Sequence, residues 1–316
     1  MTKQKDSAIA PPDNNPAGKQ TKPTSAYRKL RRRFAKTPLR APLVWLAHRR
    51  LCPADVFTAS YPKSGITWTR FVLFEMLSGM PTSFRTTNQL IPGIGRHTKG
   101  LRLLPGGGRM IGTHEQYRKE YKRAIYLVRD ARDVVTSEYA FLKALDYFQG
   151  DLDQYINTFL FTCASAYGYG PWQQHITSWL DSPIAGTDNL LLLRYEDLRH
   201  DPVPWFAKIA EFLGVKIELE KIQSAVENNS IERMREKERK EPVRVSIRGR
   251  FVRDGAVQGW RTKLSPAQIS LIEKHTSNVL LRLGYPLSSQ LSHEPDAPEG
   301  VESREKQTVG PDFKAR

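Results

Sequence analysis

The sequence predicts a single α/β domain built on a parallel sheet that helices cover on both faces. Short, almost continuous apolar runs alternate along the chain with longer segments of helical periodicity. Strands buried on both faces are typically unbroken apolar runs, whereas strands with one face in water alternate with polar residues. A chain of 316 residues suits one large domain of this class. Ligands of such sheets bind at the carboxyl ends of the strands.

Four apolar runs are the predicted strands, and three longer patterns are the predicted helices. In chain order the strands are Val56–Ser60, Arg109–Thr113, Ala124–Val128 and Leu190–Leu193. The helices are Ile66–Leu77, Asp130 to about Leu145, and Pro204–Leu213. The residues at the strand ends are all polar or aromatic: Tyr61, Thr113 with His114, Arg129, and Arg194 with Tyr195. We therefore expect the chemistry at these positions.

Charge is concentrated at the beginning of the chain. The formal net charge is +16, and residues 1–50 hold 13 Lys and Arg against 2 Asp and Glu, which leaves only +5 for the rest. Polar, Pro-containing composition without a hydrophobic period is typical of disorder. We predict a basic, partly disordered arm over 1–52, a folded domain over 53–287 and a disordered tail over 288–316.

Targeting and cysteine signals favour a cytoplasmic protein. No apolar run approaches the roughly 18–20 residues that span a bilayer, and the polar N-terminus is unlike a signal peptide. Cys52 and Cys163 lie far apart and belong to no zinc-binding pattern. A disulfide between these two cysteines is the alternative, but two reduced thiols in the cytosol are the simpler interpretation.

The first chemical motif is the segment Tyr61–Trp68, Tyr-Pro-Lys-Ser-Gly-Ile-Thr-Trp, between a predicted strand and a predicted helix. Gly65 permits a tight turn, and the free N–H groups of the following helix attract an anion. Lys63 adds a positive charge and Thr67 a hydroxyl. The Walker A pattern GxxxxGK[ST] is absent. Taken alone, the segment also fits an ordinary strand-to-helix turn with a surface lysine.

The second motif begins where the most apolar strand ends. Arg129 follows that strand, Asp130 suits a helix N-cap, and Ser137 lies about two helical turns further on. An arginine and a hydroxyl on the same side would bind a second phosphate. A structural pair of an arginine and an aspartate remains the alternative.

In combination, the two motifs strongly resemble the cytosolic-type sulfotransferases, which use 3′-phosphoadenosine-5′-phosphosulfate (PAPS). The resemblance implies a P-loop-like phosphosulfate-binding loop at the first motif, a 3′-phosphate site at the second, and adenine against Trp68 and Tyr195. It implies PAPS as the co-substrate and no metal. The implied nucleotide-binding residues are Lys63, Ser64, Gly65, Ile66, Thr67, Trp68, Arg129, Ser137, Tyr195, Ser230, Arg253 and Gly255.

The sequence departs from the family pattern at several positions. Ile66 stands where the family usually has a threonine, and Asp254 replaces the lysine of an Arg-Lys-Gly segment. The later Gly-Asp-Trp reads Gln258–Trp260, and Gly112 stands where a lysine often precedes the catalytic histidine by two positions. The affinity for PAPS and the class of acceptor therefore stay open.

His114 is the predicted general base, because Thr113 and His114 resemble the family's Thr-His pair at the end of the second strand. An imidazole titrates near neutral pH, which suits proton removal from an acceptor hydroxyl or amine. Lys63 would stabilise charge on the group in transfer. Glu115 is the alternative base. The aromatic segment Phe141–Phe161 fits either the core or the wall around the acceptor.

Two other functions compete with this assignment. A P-loop kinase would place its lysine after the second glycine and a carboxylate at a strand end, whereas Lys63 precedes Gly65 and Arg129 ends its strand. A basic binding module for nucleic acid or anionic lipid would use residues 19–50. We expect a small-molecule, lipid or glycan acceptor and no nucleic acid; the oligomeric state stays open. Contact of the arm with anionic membranes is a hypothesis, and a solubilising tail or a helix packed on the domain is its alternative.

Overall fold

The computed structural model describes residues 40–162, 168–241 and 250–291. Its centre is a four-stranded parallel sheet in the order β2-β1-β3-β4. The strands are β1 Val56–Ser60, β2 Met110–Thr113, β3 Ala124–Val128 and β4 Leu190–Arg194. The predicted fold class is confirmed, and each predicted strand agrees with an observed one to within one residue at either end.

The central strands are apolar on both faces because helices cover both sides of the sheet. Every residue of β1, β2 and β3 is buried, whereas β4 forms an edge of the described sheet and is mostly half-buried. Along β3, Tyr126 packs in the cluster that contains Trp179, and its neighbours Ile125 and Leu127 pack in the cluster that contains Phe206. Successive side chains of a strand point to opposite faces, so both faces of β3 require apolar residues.

Helices lie before, between and after the strands. They are α1 Arg40–Ala47, α2 Ile66–Ser78, α3 Phe84–Leu90, α4 Ala131–Ala144, α5 Leu152–Phe161, α6 Trp172–Leu180, α7 Tyr195–His200, α8 Pro202–Leu213, α9 Leu219–Glu227, α10 Ile231–Lys240, α11 Pro266–Arg282 and α12 Ser288–Leu291. Short 3₁₀ turns occupy His97–Lys99, Pro105–Gly107 and Gly259–Thr262. Within the described ranges, no helix combines the length and apolar character needed to cross a bilayer.

Helix boundaries follow local chemistry. The carboxylate of Asp130 accepts a hydrogen bond from the Arg132 amide and caps α4, as predicted. Helix α2 ends at Gly79, whose φ of 68° is the left-handed conformation typical of a C-terminal glycine. Helix α8 begins two residues before its predicted start because Pro202 suits the first turn, where its missing N–H costs no hydrogen bond.

The last part of the predicted arm, residues 40–52, contacts the domain. The imidazole of buried His48 donates from Nδ1 to the Val44 carbonyl and accepts from the Tyr121 hydroxyl at Nε2, both at 2.6 Å. Arg109 donates to the Arg50 carbonyl at 2.9 Å. Residues 1–39 and Cys163 lie outside the described residues, and Cys52 is a free, half-buried thiol.

Candidate active site

A cavity of about 330 Å³ lies at the carboxyl ends of the strands. Each strand contributes a lining residue soon after its end: Lys63 after β1, His114 after β2, Arg129 after β3 and Tyr195 after β4. Parallel strands end at one edge, so the topology itself gathers residues that are distant in the sequence. The expectation that chemical groups meet at this edge agrees with the structure.

The loop between β1 and α2 takes an unusual backbone path. Lys63 has φ 69° and Gly65 has φ 93°, both in the left-handed region. A β-carbon at Gly65 would lie 2.5 Å from a ring carbon of Tyr195, so the tyrosine packs where only glycine leaves room. The first N–H groups of α2, at Ile66, Thr67 and Trp68, belong to residues that line the cavity. Such a helix start is an anion-binding feature.

The ammonium of Lys63 lies against aromatic rings on the cavity wall. Its Nζ is 4.1 Å from the ring centroid of Phe141 and 5.5 Å from that of Phe251. Burial, together with the nearby charges of Arg253 and Arg129, lowers the pKa of Lys63 to about 8, and the charge of Glu138 partly opposes this effect. The protonated amine is thus held where an incoming anion would stabilise its charge.

Arg129 joins three parts of the site. Its guanidinium donates to the Lys63 carbonyl at 2.9 Å and to the Ala256 carbonyl at 2.8 Å, and it lies 4.5 Å from the ring centroid of Tyr195. The structural arginine–aspartate pairing that the sequence left open is also present, because Asp130 binds Arg132 at 2.6 Å and the Arg129 guanidinium lies 3.9 Å from the Asp133 carboxylate. Arg129 itself faces the cavity.

A second group of basic and polar residues surrounds Arg129. Arg253 donates to the Ser137 carbonyl at 3.2 Å, and both residues line the cavity. The Tyr195 hydroxyl donates to the Gly255 carbonyl at 3.0 Å, at a glycine with φ 60°. These contacts bring the late segment 253–255 to the end of β3, beside Arg129 and Ser137.

Two predicted site residues are not among those that the structure assigns to the cavity wall. Ser64 is buried, and its hydroxyl has no hydrogen-bond partner among the described residues. Ser230 caps α10 by accepting from the Arg233 amide, while its neighbour Ile231 faces the cavity. The remaining predicted residues all line it: Lys63, Gly65, Ile66, Thr67, Trp68, His114, Arg129, Ser137, Tyr195, Arg253 and Gly255.

The imidazole of His114 lines the cavity and has one ring nitrogen bound to the backbone. Its Nδ1 donates to the Ser60 carbonyl at 2.8 Å, which leaves the lone pair of the neutral ring on Nε2. Burial and the charges of Arg70 and Lys63 lower the pKa of His114 to about 4, so the ring is neutral at pH 7. His175 holds the backbone here, since its Nε2 donates to the His114 carbonyl at 3.0 Å. The rival base Glu115 is not among the described lining residues.

Comparison with known proteins decides the family. A family model described as the sulfotransferase domain matches residues 107–284, more than half of the chain. The chain belongs to this sulfotransferase family. It is 26% identical over 251 residues to cytosolic sulfotransferase 17 of Arabidopsis thaliana, covering 70% of this chain and 72% of that protein. It is 28% identical over 249 residues to sulfotransferase 1A1 of Bos taurus, covering 71% and 82%.

Solved structures agree on the fold. A mouse sulfotransferase in complex with 3′-phosphoadenosine-5′-phosphate (PAP) matches with a TM-score of 0.58 at 22% identity, covering 79% of this chain and 93% of that one. Retinol dehydratase in complex with androsterone and PAP matches with a TM-score of 0.59 at 21% identity, covering 74% and 83%. The predicted family and enzyme class are confirmed, and the kinase alternative is set aside.

Sequence reasoning missed two basic residues near the cavity of this sulfotransferase: Arg199, which lines it, and Arg70, which lies outside the described lining and whose charge acts on His114. A β-carbon at Gly112 would lie 3.4 Å from the Arg70 side chain, so Arg70 fills the space that the small residue leaves; its guanidinium donates to the Ile91 carbonyl. Arg199 lies 5.3 Å from the ring centroid of Trp68. Both residues are inside helices, where an arginine has no sequence signal that separates a site from a surface.

The aromatic segment that the sequence left undecided serves both purposes. Tyr155 and Phe159 are fully buried in the core, whereas Phe141 lines the cavity beneath the Lys63 ammonium. Tyr155 and Phe159 differ from Phe141 in their environment because they lie on the buried side of α5, whereas Phe141 lies on the side of α4 that faces the cavity. Phe141 lies one helical turn after Ser137 and Glu138, which also face the cavity.

Proposed function

We propose that this enzyme transfers the sulfuryl group of PAPS to a hydroxyl or amine of a small-molecule acceptor in the cavity at the carboxyl edge of the sheet. One observation carries the proposal. The cavity gathers Lys63 and the start of α2 with Arg129, Ser137 and Arg253, two sets of anion-binding groups that are far apart in the sequence. PAPS carries one anionic group for each set.

The residues present fit this donor. Lys63 and the amides of Ile66 and Thr67 would hold the phosphosulfate at the start of α2. Arg129, Ser137 and Arg253 would hold the 3′-phosphate through charge-assisted hydrogen bonds.

The adenine would bind beside the aromatic pair Trp68 and Tyr195, which line the cavity. The indole N–H of Trp68 donates to the Asn229 carbonyl at 2.9 Å, which fixes the plane of the ring. Arg199 lies over that ring, so its guanidinium would either pack against the base or move aside.

The proposed chemistry is an in-line displacement at sulfur. Nε2 of His114 accepts the proton of the acceptor hydroxyl as the hydroxyl oxygen bonds to sulfur, and the bond from sulfur to the phosphate oxygen breaks to release PAP. Lys63 stabilises the negative charge that builds up on the transferred group and on the phosphate. Orientation and preorganised electrostatics supply most of the rate in such a site.

The proposal is tested by following labelled sulfate. The purified full chain, given PAPS with a radioactive sulfuryl group and a panel of phenols, alcohols and amines, should release PAP and sulfated acceptor in equal amounts. Release of PAP with only free sulfate as the labelled product, for every acceptor in the panel, would contradict the proposed transfer.

An apolar acceptor skeleton is favoured by the wall of the cavity, where Phe141, Leu142, Tyr169, Phe251 and Val252 contribute. Retinol dehydratase, which shares the fold, has been solved with androsterone and with retinol. Lipid and glycan acceptors are more specific proposals for the same transfer reaction.

We propose that the enzyme is cytoplasmic, which is supported by the relatives that are named cytosolic sulfotransferases.

We further propose that the basic N-terminal arm brings the enzyme to anionic membranes. On α1, Leu43, Trp45 and Leu46 are 59%, 58% and 50% exposed, while Val44 and His48 face the domain. This apolar surface follows a segment rich in Lys and Arg. Basic residues near an anionic surface contribute roughly 1 kcal/mol each, and exposed apolar side chains add burial at the interface.

We expect the full chain to sediment with vesicles that contain phosphatidylserine at low salt and to remain in solution with phosphatidylcholine alone. The triple variant Leu43→Ser, Trp45→Ser and Leu46→Ser should bind more weakly, because it removes exposed apolar surface without touching His48. Equal recovery of both proteins in the supernatant with anionic vesicles would contradict membrane contact, and a soluble acceptor would then be favoured.

A further inference from the structure

Asn229 lies at the junction of α9 and α10, beside the indole of Trp68. It is fully buried, and it is not among the residues that the structure assigns to the cavity wall. Its backbone carbonyl accepts the indole N–H of Trp68 at 2.9 Å, and Ile231 and Met234, which follow it on α10, line the cavity. The placement of Asn229 therefore bears on where the aromatic ring stands in the cavity.

The side chain of Asn229 uses all four of its hydrogen-bonding positions. Its Nδ2 donates to a carboxylate oxygen of Glu75 and to the Ala225 carbonyl, both at 2.7 Å. Its Oδ1 accepts from the Thr82 hydroxyl at 2.7 Å and from the Lys237 ammonium at 2.6 Å. An ammonium can only donate and an ionised carboxylate can only accept, so Lys237 and Glu75 together fix the orientation of the amide.

The two charged side chains hold this amide from different helices. Glu75 is on α2, seven residues after Trp68, and two helical turns bring both residues to the same side of that helix. Lys237 is on α10, where its ammonium also donates to the Asn228 carbonyl at 2.7 Å. Hydrogen bonds to charged groups are the strong class, so the network ties α2 to α10 through Asn229.

The hydrogen bond from the Trp68 indole connects this network to the cavity. The ring of Trp68 also packs edge to face against Phe206, with centroids 5.7 Å apart. Apolar contact has no preferred direction, whereas a hydrogen bond is directional. The Asn229 carbonyl therefore sets the rotation of the indole. Glu75 and Lys237 act on the ring through Asn229, since neither of them is assigned to the cavity wall.

We propose that Asn229, Glu75 and Lys237 are positioning residues for the nucleotide, which hold the Trp68 ring in the orientation that stacks on a purine base. This inference rests on the proposed function, because it takes the base of PAPS to lie against Trp68. It assigns the selectivity for the base to buried polar groups outside the cavity. A purine offers an aromatic ring a larger face than a pyrimidine does, so a misplaced indole should weaken purine ligands more than pyrimidine ligands.

The test uses a matched pair of ligands in calorimetry. PAP and uridine 3′,5′-bisphosphate share both phosphates and the ribose and differ in the base, and the wild-type chain should bind PAP more tightly. Asn229→Asp keeps the size of the side chain and turns a second carboxylate towards Glu75. It should lower the ratio of the two affinities by about tenfold, the order of one contact between a base and an aromatic ring. Lys237→Met keeps the aliphatic stem, removes the ammonium and should lower the ratio in the same direction.

A second background shows whether the effect passes through the indole. Trp68→Phe keeps an aromatic ring and removes the N–H, so in this background Asn229→Asp and Lys237→Met should change the ratio by less than about twofold. Asn278→Asp, the same substitution at an exposed position of α11, should leave the ratio at the wild-type value. Thermal denaturation identifies a variant that does not fold, and the other variant then decides the result.

A purely structural network predicts a different outcome. Both variants would then be less stable or bind both ligands more weakly, with an unchanged ratio, which would overturn the inference and leave the donor site standing. An effect of full size in the Trp68→Phe background would overturn it too, as would equal affinities of the wild type for the two ligands. Binding of neither ligand to the wild type would overturn both this inference and the proposed donor site.

Discussion

Replacement of His114 by alanine is expected to lower the rate of sulfuryl transfer by about 10²–10⁴-fold, the usual contribution of a general base, and to leave PAP affinity intact. The effect is selective because the His114 ring binds the Ser60 carbonyl on one side and presents its lone pair on the other. The groups that would hold the nucleotide belong to other elements. Steady-state kinetics with PAPS, together with calorimetry of PAP binding, measure the two effects in one preparation.

The neighbouring residue supplies the control for this substitution. Glu115→Ala removes the alternative base and should leave transfer largely intact, because Glu115 is not among the residues that the structure assigns to the cavity wall. If the Glu115 variant is inactive and His114→Ala keeps its activity, the base is a carboxylate and the assignment of His114 is wrong.

Replacement of Lys63 by methionine should lower kcat by about 10²–10³-fold, the usual cost of removing one group that stabilises charge in a transition state. Methionine keeps much of the aliphatic stem against Phe141 and removes only the ammonium. The loss should appear in kcat more than in KM for the acceptor, since Lys63 acts on the group in transfer.

The pH dependence of kcat/KM for the donor reports the same two residues in the free enzyme. His114 acts when neutral, so activity should fall as the pH drops towards its pKa of about 4. Lys63 acts when protonated, so activity should fall as the pH rises above its pKa of about 8. Lys63→Met should therefore lack the alkaline decline. An alkaline decline of equal size in that variant would assign it to another group.

The sheet could be predicted because burial on both faces imposes a continuous apolar pattern. The run Ala124–Val128 has such a pattern, and it forms β3 with the same bounds. The end of β4 extends one residue past its apolar run, since Arg194 still pairs in register with Val128. Backbone hydrogen bonds continue where the hydrophobic signal has stopped, so strand ends are less predictable than strand centres.

The candidate site was predictable where one segment carries both turn chemistry and charge, as around Lys63 and Gly65. It was not predictable where the contact depends on packing between distant elements. Glu138 follows Ser137 on a helix, and only the burial of α4 against the cavity distinguishes it from a solvent-exposed glutamate. Arg70 is likewise identified by the space beside Gly112, which no spacing in the sequence encodes.

The central claim, a nucleotide site with separate positions for the 5′ and 3′ anionic groups, is tested most directly by calorimetric titration of the full chain with PAP and with 5′-AMP. The two ligands differ only in the 3′-phosphate, which Arg129, Ser137 and Arg253 are proposed to bind. Hydrogen bonds to charged groups contribute roughly 1.5–3 kcal/mol each, so PAP should bind at least about tenfold more tightly than 5′-AMP. Equal affinities for PAP and 5′-AMP would contradict the account.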